Sequence, residues 1–126
     1  MRWLSRIGLI VWLGFLVWGS LMPTVPAGRT IRVVPGGAYT VHAVAYAILC
    51  MMAVFALGST GPRGLLLTAL GACLLGLVLE WVQPHTGRAF DWGDVAANAA
   101  GVAAGLVAVF CLRRVPGCCR RAEPGG

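Results

Sequence analysis

No lysine occurs in this chain of 126 residues, and only four side chains are acidic: Glu80, Asp91, Asp94 and Glu123. Uncharged amides are as scarce, with Asn98 the one asparagine and Gln83 the one glutamine. At 11% charged residues the chain cannot cover the surface that a soluble protein of this length leaves in water, so an ordinary soluble domain is excluded. An apolar content of 59% and a mean hydropathy of +0.83 exclude disorder as well. Positive charge comes from ten arginines, which outweigh the acids to leave a formal net charge of +6. They stand between apolar runs instead of in one block, which predicts orientation in a membrane and no nucleic-acid partner.

What is present are four apolar stretches, residues 7–22, 38–58, 65–82 and 95–112. Each is near the roughly 20 residues that a helix needs to cross about 30 Å of hydrocarbon. Trp3 and Leu4 extend the first where Arg6 snorkels, and the second contains no charge. Gly61-Pro62-Arg63-Gly64 reads as a breaker ahead of the third. Short connections favour antiparallel neighbours. The fold class expected is therefore an all-α integral membrane protein, an up-down bundle of four transmembrane helices over residues 7–112, followed by a flexible basic tail over 113–126. Arg2, Arg6, Arg63, Arg113, Arg114, Arg120 and Arg121 lie on one set of connections, against Arg29, Arg32 and Arg88 on the other. That asymmetry predicts a multi-pass protein of the inner (cytoplasmic) membrane with both termini in the cytoplasm. A cleavable signal peptide is the rival reading of the first run, since Arg2 and Arg6 precede it and Val25-Pro26-Ala27 offers small residues for cleavage. A long apolar core, and the odd number of spans that cleavage would leave, favour a retained helix.

The informative residues are the few polar ones beside lipid, where an ionisable group costs about 2.5–3.5 kcal/mol. His42 and Tyr46 are one helical turn apart at the outer end of the second span. Glu80 and Gln83 share a face at the outer end of the third. Asp91, Asp94, Asn98, Gly101 and Gly105 recur every three or four residues and make one stripe at the start of the fourth, whose acidic side is read here as facing the third. Arg88 lies between these groups, placed to bridge Glu80 or Asp94 in bidentate fashion, with Gln83 and Asn98 meeting what remains. Gly101 and Gly105 form a helix-packing groove. Three spans thus bring polar side chains to one membrane level. Each group also has a plain role: Asp91 or Asp94 as a helix cap, His42 as a hydrogen-bonded packing residue, Trp3, Trp12, Trp18, Trp81 and Trp92 as interfacial anchors or packing.

Cys50, Cys73 and Cys111 fall inside apolar spans and read as small hydrophobes, while Cys118 and Cys119 lie in the tail, where thiols stay reduced. No zinc spacing appears along the chain, so no resident metal and no cofactor are expected.

Glu80-x-x-Gln83, then Arg88, then Asp94-x-x-x-Asn98-x-x-Gly101, in this order across a span junction, resembles the VanZ-like family of small bacterial membrane proteins. His42-x-x-x-Tyr46 and the Ser20-Leu21-Met22-Pro23 ending of the first span match as well, so the resemblance covers roughly residues 7–112. The family commonly carries an Asp-Lys pair before the His, where this chain has Ala38 and Tyr39. The resemblance implies an envelope protein linked to teicoplanin resistance, and it transfers a phenotype without a chemistry.

Three functions compete. In the first, the outer cluster of His42, Tyr46, Glu80, Gln83, Arg88, Asp94 and Asn98 binds a lipid headgroup or cell-wall precursor without catalysis, Arg88 serving as receptor for phosphate or carboxylate. In the second, the polar residues fix helix packing or an oligomer. In the third, a membrane enzyme acts on lipid-linked precursors with Glu80 or Asp94 as general base, or with both, His42 and Asn98 around one hard cation. Membrane lipids are the partners expected in every case.

Overall fold

The computed structural model describes residues 2–22, 37–59 and 61–114. Among them the chain is all α: α1 (Arg2–Leu21), α2 (Gly37–Leu57), α3 (Pro62–Val82) and α4 (Trp92–Arg114), with a 3-10 turn, Gln83–Thr86, between the last two. All four helices are long and apolar enough to cross a membrane. Arg29, Arg32, the small residues at 25–27, Cys118, Cys119, Arg120, Arg121 and most of the expected tail lie outside the described residues.

Helix boundaries extend the expected spans for local reasons. α1 begins at Arg2, so the helix runs through Trp3 and Leu4. Gly61-Pro62 starts α3 instead of only interrupting the chain, because Gly61 is its N-cap and proline is suited to the first turn, where a missing N–H breaks no helical bond. α2 ends where Gly58 takes φ +67°, a left-handed conformation that glycine adopts without a Cβ clash. α4 starts at Trp92 because Asp91 caps it: Asp91 Oδ1 accepts the Gly93 N–H at 2.7 Å.

Contacts along the helices fix their directions. Gly101 packs on Ala43, Gly105 on Ala47 and Gly93 on Tyr39, while Arg113 reaches the Ser59 carbonyl at the far end. α2 and α4 therefore run parallel, and α1 and α3 run antiparallel to both, as an up-down bundle requires. The α2–α4 contact is the most extensive in the molecule, and α1 and α4 sit at opposite corners without touching. A Cβ on Gly101 would overlap the Ala43 carbonyl, and one on Gly105 would lie 2.7 Å from the Ala47 oxygen. These glycines let two backbones approach where any side chain would hold them apart. The stripe of α4 accordingly faces α2, with α3 along its edge, and its acidic side, expected to face α3, turns its carboxylates to Tyr39 and His42 of α2.

The core is narrow, built from Leu16, Tyr46, Leu49, Cys50, Val54, Ala72, Val102 and Val109. Large apolar side chains face outward on every helix, among them Ile10, Val44, Leu67, Leu74 and Val107. Meanwhile Glu80, Gln83, Asp94 and Asn98 are buried. Such a distribution, apolar outside and polar within, is compatible with a multi-pass membrane protein.

Candidate functional site

Glu80, Gln83, Asp94 and Asn98 gather at one end of the bundle, while the buried Thr68 lies at the other. From α2, His42 points between its neighbours; from α4, Asp94 and Asn98 meet it one turn apart. His42 Nδ1 lies 3.0 Å from Asn98 Oδ1, and His42 Nε2 lies 3.4 Å from Asp94 Oδ2. An amide oxygen only accepts, so Nδ1 carries the proton in that contact and Nε2 turns toward the Asp94 carboxylate.

α3 contributes Glu80, only 1% exposed. Its Oε2 accepts the Asp91 backbone N–H at 3.2 Å, which joins the end of α3 to the start of α4. One ligating atom from each of His42, Glu80 and Asp94 lies within 4.8 Å of the others. Asp91 itself is a cap, and its Oδ2 accepts the Tyr39 hydroxyl at 3.0 Å. Tyr39 thereby ties the starts of α2 and α4 together.

Room for Asn98 and Tyr46 comes from Gly76, where a Cβ would stand 2.9 Å from Asn98 Nδ2 and 3.2 Å from the Tyr46 ring. Tyr46 is 2% exposed and supports the cluster from below. Gly76 was legible as a small residue one turn before Glu80 on the same face; Tyr39 carried no comparable signal.

Arg88 does not bridge Glu80 or Asp94, contrary to expectation. Its Nη1 donates to the Ser20 carbonyl at 3.2 Å, and no carboxylate of the described residues lies within 4.0 Å of it. Two local facts redirect it. The Asp91 N–H already occupies one oxygen of Glu80, and the 3-10 turn with Gly87 at φ +84° carries the chain toward α1. There Ser20 stands in the last turn of a helix, where carbonyls lack helical partners. Ser20 thus joins the site through its backbone.

Polar capacity remains unmet here. Among the described residues, Glu80 Oε1, Asp94 Oδ1 and both amide atoms of Gln83 are buried without a hydrogen-bond partner. Gln83 takes part through its backbone: its N–H donates to the Leu79 carbonyl, and its carbonyl accepts from Arg88 N and Thr86 Oγ1. An amide left this way typically costs about 1–3 kcal/mol, and a charged carboxylate more.

Beside the cluster, between α1 and α2, runs a groove of about 260 Å³. Phe15, Leu16, Val41 and Ala45 make its apolar walls, and His42, Tyr46 and Arg88 its polar lining. The expected cluster therefore divides. His42, Glu80, Asp94 and Asn98 come together, Tyr46 lies beneath them, Gln83 is buried at the end of α3, and Arg88 stands apart at the groove. Comparison with family models, curated proteins and solved structures returned no match to this chain.

Proposed function

We propose that the chain is a VanZ-like multi-pass protein of the bacterial inner membrane, with both termini in the cytoplasm, that binds an anionic lipid headgroup or lipid-linked cell-wall precursor and lowers susceptibility to teicoplanin-type glycopeptides. The observation that carries the binding reading is the position of Arg88. Its guanidinium has one backbone carbonyl as partner and no carboxylate within 4.0 Å among the described residues, and it lines a groove with apolar walls. A guanidinium with donors to spare recognises phosphate or carboxylate, and the adjacent apolar slot suits an acyl or isoprenoid chain. Motif order from Glu80 to Gly101 supports the envelope role by resemblance.

The test is teicoplanin and vancomycin susceptibility of a sensitive host making the wild type or Arg88→Ala at matched membrane abundance. A teicoplanin-selective shift that Arg88→Ala abolishes is the expected result. No shift with the wild type, or an equal shift with the variant, overturns the reading.

A further inference from the structure

We infer that His42, Glu80 and Asp94 form a binding site for a divalent first-row transition-metal ion, of the Zn²⁺ or Mn²⁺ type, between α2, α3 and α4. The site goes beyond headgroup binding and does not depend on it, since Arg88 is not among the ligands.

Geometry supplies the first argument. Three ligating atoms from three helices already lie within 4.8 Å of one another. Around a tetrahedral ion with bonds of about 2.0–2.2 Å, ligand atoms stand roughly 3.3–3.6 Å apart, so a contraction of at most about 1.5 Å at the widest pair closes the set.

Unmet polar atoms supply the second argument, independent of the first. Glu80 and Asp94 are 1% and 6% exposed, yet Glu80 Oε1 and Asp94 Oδ1 have no partner among the described residues. Arg88 lies with Ser20, so among the described residues no guanidinium forms an ion pair with these carboxylates. His42 alone is not enough. A protonated imidazole would meet Asp94 Oδ2 at 3.4 Å and leave the other two oxygens orphaned. A dication bound by one oxygen of each carboxylate and by Nε2 neutralises both charges at once.

The histidine is already oriented for this task. Metal-binding imidazoles usually give their second ring N–H to a carbonyl or carboxylate, which sets the tautomer. Here Nδ1–H is directed to Asn98 Oδ1 at 3.0 Å, leaving the Nε2 lone pair toward the carboxylates. One imidazole with two carboxylates favours Zn²⁺ or Mn²⁺ over Ca²⁺ and Mg²⁺, which take all-oxygen sets. Three protein ligands leave at least one coordination position for water or another ligand.

The experiment uses the full chain in detergent, stripped with a chelator and titrated with Co²⁺, whose visible absorption reports coordination, then challenged with Zn²⁺. The wild type is expected to bind one equivalent of Co²⁺, to lose its absorption to Zn²⁺, and to melt at higher temperature with either metal. Glu80→Gln and Asp94→Asn keep side-chain shape and remove a buried charge, so they retain the helical circular dichroism and monodispersity of the wild type while losing the absorption and the thermal shift. Asn98→Ala, which releases the imidazole from its orienting contact, weakens binding about 10- to 100-fold. Arg88→Ala binds as the wild type does, which separates this site from the headgroup reading. A folded wild type that binds neither Co²⁺ nor Zn²⁺, or Glu80→Gln and Asp94→Asn proteins that bind like the wild type, overturns the inference.

Discussion

The two ends of the α2–α4 pair solve the same problem differently. At the Ser59 end, Thr68 Oγ1 donates to the Gly64 carbonyl at 2.9 Å and lies 3.1 Å from Ser59 Oγ, while Arg113 Nη2 donates to the Ser59 carbonyl at 3.0 Å. The buried hydroxyl there is satisfied by near neighbours. At the His42 end, four buried polar atoms of Glu80, Gln83 and Asp94 stay without partners among the described residues. Selection for stability alone would fill or remove them, since apolar replacements of similar volume are commonly neutral or stabilising. One end closes the bundle; the other holds chemistry in reserve.

The largest effect should come from erasing the register that both ends share. Gly101→Leu drives a side chain into the Ala43 backbone, which cannot yield as a flexible side chain would. The expected loss is about 3 kcal/mol or more, with a collapse of helical signal on mild heating in detergent. Unchanged melting would show that α2 and α4 do not pack through this glycine.

A smaller effect sharpens the contrast. In chelator, His42→Ala leaves Asn98 Oδ1 and Asp94 Oδ2 without their imidazole, and is expected to destabilise by about 2 kcal/mol. Thr68→Val, a change of similar shape at the other end, removes one donor and its partner contact and should cost about 1 kcal/mol or less by the same thermal measurement. Equal losses at the two ends would erase the distinction between them.

Much of this was legible in the sequence because helical periodicity is a local property. Asp91, Asp94, Asn98, Gly101 and Gly105 declare one face of α4 by spacing alone, and the cap at Asp91 needs only its neighbours. Partners of that face are not local. A glycine pair says that some helix comes close without saying which, so α2 could be identified only in three dimensions. Arg88 illustrates the same limit more sharply: its partner is a backbone carbonyl 68 residues away, at a helix end whose side chains carry no charge to advertise it. The trio of His42, Glu80 and Asp94 has no spacing signature because each member comes from a different helix.

The parallel run of α2 and α4 has an electrostatic consequence. Aligned peptide dipoles give every helix a partial positive charge of about half a unit at its N-terminus and an equal negative one at its C-terminus. Asp94, in the first turn of α4, and Arg88, against the last turn of α1, each sit at a pole of opposite sign. Arg113 and Arg114 close α4 at its negative pole in the same way. Glu80 is the exception: it lies near the C-terminus of α3, a carboxylate at a negative pole. Of the charged groups at that end it is the one whose own helix works against it, and so the one with most to gain from a cation.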